Sequence, residues 1–281
     1  MKTVEGIIFD IKELAVHDGP GPRTTVFFKG CPLRCKWCHN PEGLSFSPQL
    51  MVRESRCTHC GRCRQPCTHP DCQPYGRCLH RCPLGLISVA GTRVRSDELA
   101  HRLLRERDFW GETGGITVSG GEPLGQPEFL TALLDELNGV HRCVETCGFA
   151  SEEAFDAMCA RTELVIMDLK LMDPVQHRRW TGQDNAPILR NFDRLKAGGH
   201  PFIIRIPLIP DVSDTVENLT ATAERVRGAD GLLRVELLPF NPLAGAKYAM
   251  VGAVPTDFPK RKANPECVRI FTDRQIPAIM A

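Results

Sequence analysis

Neither sign of charge dominates this chain, no long apolar run interrupts it, and no acid–base constellation stands out. With 35 Lys and Arg against 34 Asp and Glu, the formal charge is +1 and the pI about 7.5. That balance leaves no basic footprint for a nucleic-acid groove. No stretch is long enough to span a membrane, and the opening residues MKTVEGIIFDIKELAVHDGPG lack the apolar core of a secretory signal. These absences predict a cytoplasmic protein with neither nucleic acid nor membrane among its partners. The missing paired-carboxylate and Ser-His-Asp signatures turn attention to the residue type in excess. In a reducing compartment the 14 cysteines are metal ligands or small buried residues rather than disulfides.

Residues 31 to 40 read CPLRCKWCHN, which spaces Cys31, Cys35 and Cys38 as C-x3-C-x2-C. A cubane iron–sulfur cluster usually takes four thiolates, so three would leave one iron open to a small molecule. The same logic separates closed structural metal sites from open catalytic ones. On spacing alone the alternative is a structural zinc, or an electron-transfer cluster completed by Cys57, Cys60 or His39.

Ten of the 14 cysteines fall between Cys31 and Cys82. The expected division is residues 1–50 and 91–281 for the body and 51–90 for a cysteine-dense insert. Cys57, Cys60, Cys63 and Cys67 follow the ferredoxin-type run C-x2-C-x2-C-x3-C. A second copy places Cys72, Tyr75, Cys78 and Cys82 at the same offsets, with tyrosine in a cysteine position. Because the fourth cysteine of such a run ligates the other cluster, the preferred auxiliary set is Cys57, Cys60, Cys63 and Cys82. A second auxiliary cluster would have Cys67, Cys72 and Cys78, with an exogenous or non-cysteine ligand replacing what Tyr75 cannot give. A zinc-stapled insert without a redox role is the alternative. Cys143, Cys147, Cys159 and Cys267 read as small buried residues.

Elsewhere short apolar runs alternate with amphipathic stretches, the pattern of a parallel α/β sheet. The expected strands are Thr24–Lys29, Ile116–Ser119, His141–Thr146, Leu164–Leu169, Phe202–Leu208 and Leu233–Leu237. The expected helices are Ser96–Arg107, Pro127–Leu137, Ser151–Ala160, Pro187–Ala197 and Thr215–Arg227. Six such units predict a partial, open (β/α)6 TIM-like barrel with a small ferredoxin-like iron–sulfur insert. Barrel sites lie at the C-terminal ends of strands, where CPLRCKWCHN, Ser119-Gly120-Gly121-Glu122-Pro123 and the alternating Asp168 and Lys170 all fall. Arg205 is a charge in an apolar strand and needs a partner, either a bound carboxylate or a structural Glu.

C-x3-C-x-aromatic-C followed by His-Asn resembles the signature of radical S-adenosylmethionine enzymes. Its particular form is similar to the activating enzymes of glycyl radical enzymes, including the pyruvate formate-lyase activating enzyme. The resemblance implies a four-iron, four-sulfur cluster on Cys31, Cys35 and Cys38 that binds S-adenosylmethionine at its open iron. One or two auxiliary clusters would sit in the insert, and a monovalent cation at the barrel mouth. It makes Gly120, Gly121 and Glu122 the segment receiving the amino group of S-adenosylmethionine. Lys170, beside Leu169, would meet its carboxylate, with Trp37, Cys38, His39, Asp168, Arg205 and Asn241 as further contacts. Trp37 would pack over the adenine or shield the cluster, and Asn241 stands where the pyruvate formate-lyase activating enzyme carries His. Glu145-Thr146-Cys147-Gly148-Phe149 matches the family's acidic-Thr-x-Gly-Phe segment, so Glu145, Thr146, Ile166 and Asp168 become the cation candidates. His17-Asp18-Gly19-Pro20-Gly21-Pro22-Arg23 matches the family's Asp-Gly-Pro-Gly-x-Arg, which places Asp18 near an incoming glycyl peptide.

The activity implied is reductive cleavage of S-adenosylmethionine by one electron from a flavodoxin or ferredoxin. The resulting 5′-deoxyadenosyl radical would abstract hydrogen from a glycine of a partner glycyl radical enzyme. The alternatives are a radical S-adenosylmethionine maturase of another peptide and, from a non-catalytic class, a ferredoxin-like electron-transfer protein.

Overall fold

The structure, a computed structural model, describes residues 3–242 and 245–281. Its strands are β1 (Glu5–Ala15), β2 (Arg23–Phe28), β3 (Gln49–Val52), β4 (Ile87–Ala90), β5 (Thr92–Arg95), β6 (Gly115–Gly120), β7 (His141–Thr146), β8 (Leu164–Asp168), β9 (Phe202–Leu208), β10 (Leu232–Pro239) and β11 (Ala278–Met280). Nine of them form one sheet in the order β11-β10-β9-β8-β7-β6-β2-β1-β5. From β2 through β10 six strands run parallel, each beside its predecessor in the sheet. The sheet has two edges, so the expected open barrel of six parallel strands is what forms.

The apolar runs predicted these six strands because parallel strands are covered on both faces and read as continuous hydrophobic segments. Val165, Ile166, Met167, Ile204 and Ile206 are all fully buried. The intervening helices end where their chemistry dictates. Ser151 caps Glu152–Cys159 by accepting from the Ala154 amide, and Thr215 caps Val216–Val226 by accepting from the Asn218 amide. The expected helix Ser96–Arg107 divides into Ser96–Leu104 and Arg107–Trp110. A helix at Pro174–Thr181, capped by Asp173, was not expected.

The edge strands also lay outside the expectation. β1 pairs antiparallel with β2 and with β5, and β11 extends the parallel side beyond β10. Edge strands alternate in exposure or are very short, so they lack the apolar run that marks a central strand. β3 and β4 pair antiparallel, with Gln49 opposite Ala90 and Val52 opposite Ile87. This ribbon brackets the cysteine-dense segment, which contains only short 3-10 turns at Glu54–Arg56, Arg62–Arg64 and Pro70–Tyr75.

Arg23 stitches the opposite end of the barrel and is completely buried. Its guanidinium donates to Thr117 Oγ1 at 2.8 Å, to the Ile116 carbonyl at 2.8 Å and to the Pro20 carbonyl at 2.6 Å. It also donates to the His141 carbonyl at 3.2 Å, so one side chain ties together the starts of β2, β6 and β7. Replacing it would strand several buried acceptors at once. Arg23→Ala is expected to cost roughly 3 kcal/mol in urea unfolding, and Arg23→Lys to recover only part because an ammonium cannot span the same fork. An unchanged unfolding midpoint for Arg23→Ala would contradict this role.

Candidate functional site

The C-terminal ends of all six parallel strands converge on one cavity of about 460 Å³. The loop after β2 supplies Cys31, Cys35, Trp37, Cys38 and His39; β6 and its turn supply Ser119, Gly120, Gly121 and Glu122. β7 adds Glu145, Thr146 and Cys147, β8 adds Asp168 and Lys170, and Pro207, Ile209, Leu238 and Phe240 close the far wall. Asp18 and Lys12 reach it from the β1 side. Residues scattered over more than two hundred positions thus face one space because each follows a strand of the same sheet.

Backbone contacts hold the cysteine loop in place. The Gly121 amide donates to the Phe28 carbonyl at 2.8 Å, the Glu122 amide to the Gly30 carbonyl at 2.8 Å, and the Gly30 amide to the Gly43 carbonyl at 2.7 Å. The approach is so close that a Cβ on Gly121 would lie 2.3 Å from the Gly30 oxygen and 2.5 Å from that of Gly43. Gly120 sits at φ +123°, a conformation L side chains rarely adopt.

The Glu122 side chain is buried and turned back into the protein. Its carboxylate accepts from Thr146 Oγ1 at 2.5 Å, from the Cys147 amide at 2.7 Å and from the Leu124 amide at 3.1 Å. Burial pushes this carboxyl above its usual range, against the pull of those donors. Glu145 goes the other way: burial raises it, but Arg205 and the Ser119 hydroxyl, 2.6 Å from Oε2, outweigh that and hold it low.

Lys170 pairs with Asp168 at 2.5 Å, and its side chain is only 10 % exposed. Burial disfavours the ammonium, yet the Asp168 carboxylate, with Cys35 and Cys147 nearby, keeps Lys170 above its ordinary value. The Lys170 ammonium, held by its Asp168 partner, therefore lines the cavity. Burial also pushes the thiols of Cys31 and Cys38 up, and that of Cys35 up to about 12. A thiolate at these positions needs a positive partner such as a metal.

Four expected residues lie off this cavity. Leu169 and Ile166 are fully buried in the core. Arg205 donates to Glu236 Oε2 at 2.7 Å, to Glu145 and to the His17 carbonyl, so its partners belong to the protein, and one of them, Glu145, lines the cavity. Asn241 lines a neighbouring cavity of about 170 Å³ that shares Trp37 and Phe240 with the first. The carboxylate of Asp18 accepts from Thr25 Oγ1 at 2.7 Å.

The structure adds residues the sequence did not single out. Lys247, on the helix Gly245–Met250, donates to Glu42 at 2.6 Å and to Asn40 at 3.0 Å, pinning the far end of the cysteine loop. No local pattern could have signalled a contact between positions so far apart. Cys147, read as a small buried residue, is buried but also lines the cavity, while Cys159 is only half-buried. None of the 14 cysteines forms a disulfide.

In the insert, Cys57, Cys60, Cys63 and Cys82 line one small apolar cavity with Val52, Leu84, Leu86 and Ile87. The His59 and Leu86 amides donate to the sulfurs of Cys57 and Cys82, both at 3.4 Å. Among the described residues no helix is long and apolar enough to cross a membrane.

An open parallel barrel whose mouth gathers three cysteines of one loop, a glycine-lined turn and a buried lysine defines a class of metal-cluster enzyme. The model of the radical SAM superfamily matches residues 25–223. The chain is 33% identical over 277 residues to the 4-hydroxyphenylacetate decarboxylase activating enzyme of Clostridioides difficile strain CD196, covering 89% of this chain and 87% of that one. It is 35% identical over 274 residues to the isethionate sulfite-lyase activating enzyme of Oleidesulfovibrio alaskensis, covering 89% and 88%. A crystal structure of a domain of pyruvate-formate lyase-activating enzyme from Bacteroides vulgatus superimposes with a TM-score of 0.51 at 32% identity, over 60% of this chain and 99% of that one. The chain belongs to the radical SAM superfamily, among the activating enzymes of glycyl radical enzymes.

Gly121→Ala would force backbone against backbone and is expected to cost roughly 1–3 kcal/mol, with less iron retained after anaerobic reconstitution. Unfolding and iron content equal to the parent chain would show that the contact does not hold the loop.

Proposed function

We propose that this chain activates a glycyl radical enzyme, with Cys31, Cys35 and Cys38 holding the cluster that binds S-adenosylmethionine. The carrying observation is the meeting of these three thiols, the Gly120–Gly121 turn and Lys170 at one barrel mouth. The donor set fits the group: three cysteines close together in sequence, beside a cavity with room for a small molecule. When bound, the cluster and S-adenosylmethionine supply a one-electron cleavage whose 5′-deoxyadenosyl radical removes hydrogen from a glycine.

The chain's own residues orient and exclude. Lys170, kept charged by Asp168, receives the carboxylate of S-adenosylmethionine, and the Gly120–Gly121 backbone leaves space for its amino group. Glu122 acts through its three internal donors, which fix the turn. Trp37, Ile209 and Phe240 give the cavity an apolar wall that keeps water from a radical. His39 and Asn241 stand on the side where the adenosyl group would extend, and Asp18 with Lys12 lies at the mouth an incoming glycyl peptide would use. A monovalent cation at Glu145, Thr146, Ile166 and Asp168 would share Asp168 with Lys170 and Glu145 with Arg205.

Cys57, Cys60, Cys63 and Cys82 fit an auxiliary cluster, since apolar walls and amide donors to sulfur suit one. It would pass electrons from a flavodoxin or ferredoxin. The relatives are named for a decarboxylase and a sulfite-lyase, so the enzyme activated here is one glycyl radical enzyme among several kinds.

The test is anaerobic turnover with S-adenosylmethionine, a reductant and a candidate glycyl radical enzyme carrying α-deuterated glycine. Deuterium should appear in the 5′-deoxyadenosine, and Cys35→Ala should abolish the product. Nucleoside formed without deuterium from any such enzyme would reject the assignment.

A further inference from the structure

The apolar cavity of the insert uses four of its seven cysteines, leaving Cys67, Cys72 and Cys78. These three converge on His69, a donor that the cysteine repeat does not reveal. One ligand atom from each of the four lies within 4.8 Å of every other. His69 Nδ1 stands 3.0 Å from Cys67 Sγ and 3.9 Å from Cys78 Sγ. Cys72 and Cys78 are buried, and the Leu79 amide donates to Cys72 Sγ at 3.3 Å. The other imidazole nearby, His80, is engaged by Asp71 at 2.7 Å.

Separation decides what such a set can hold. Four ligands sharing one tetrahedral ion, with sulfur at about 2.3 Å and nitrogen at about 2.0 Å, stand between about 3.5 and 3.8 Å apart. A cubane seats each ligand on a different iron and spreads them wider. The set is too compact for a second cubane, while three cysteines and one histidine are a common donor set for structural zinc.

The geometry points to a single zinc ion bound by Cys67, His69, Cys72 and Cys78. The chain around it explains how. The 3-10 turn Pro70–Tyr75 ends at Gly76, whose φ of +61° reverses the chain and returns Cys78 to Cys72. Tyr75, in the cysteine position of the repeat, is the last residue of this turn. All four positions are taken by protein, so the ion is structural. It crosslinks a segment that has no strand or long helix of its own. The Cys78 amide donates to the Cys63 carbonyl at 2.8 Å, so ordering this set also orders the neighbouring cysteines.

The test titrates cobalt(II) into the full chain after anaerobic reconstitution with iron and sulfide. The expected result is the intense ligand-field and thiolate charge-transfer absorption of a tetrahedral site, saturating at about one cobalt per chain and reversed by zinc. His69 is exposed, so His69→Ala removes no core packing and should weaken cobalt and zinc binding at least about tenfold. Parent-like cobalt binding by His69→Ala would remove His69 from the site. A parent chain that shows no tetrahedral cobalt spectrum, and holds about four more irons than Cys67→Ser, would establish a second cluster instead.

Discussion

The seam between the cysteine loop and the Gly120–Gly121–Glu122 turn is the contact on which the rest of the site depends. It begins as ordinary parallel pairing, with Phe28 opposite Gly120, and continues past the strand ends as amide-to-carbonyl bonds from Gly121 and Glu122. Only glycine permits it, because carbonyl oxygens occupy the space a Cβ would need. The seam then carries outward. Glu122, fixed by its own backbone, holds Thr146 at the end of the next strand and Cys147 just after it, and Gly43 carries the loop on toward Glu42 and Lys247.

Buried charge is arranged in two layers with different purposes. At the cavity floor, Arg205 lies between Glu145, which lines the cavity, and the buried Glu236, and its charge is satisfied inside the protein. At the cavity wall, Lys170 pairs with Asp168 and still faces open space. Buried ions cost several kcal/mol unless paired and hydrogen-bonded, so the floor is a structural solution and the wall a receptive one. Residues that look alike in the sequence as charges in or just after apolar strands therefore play separate parts.

The six parallel strands were legible because apolar and β-branched residues gather in short runs between turn signals, and His141–Thr146 and Phe202–Leu208 appear at their expected bounds. The cysteine loop, the glycine turn and the Asp168–Lys170 face were legible because each sits where an apolar strand ends. What stayed hidden was pairing between distant positions. Arg205 needed a partner on sequence grounds, but whether it was Glu145, Glu236 or a ligand depended on which strands became neighbours. His69 escaped because a cysteine repeat was read by cysteine offsets, although its place between Cys67 and Cys72 offered a signal. The antiparallel edge strands and the Lys247 latch have no local pattern at all.

The account stands or falls on whether the radical chemistry ends on a glycine of a partner protein. The direct measurement is electron paramagnetic resonance of a glycyl radical enzyme incubated anaerobically with this chain, S-adenosylmethionine and a reductant. The account predicts a glycyl doublet that appears only when all components are present. Abundant 5′-deoxyadenosine with no doublet on any glycyl radical enzyme, and with another peptide modified instead, would contradict it.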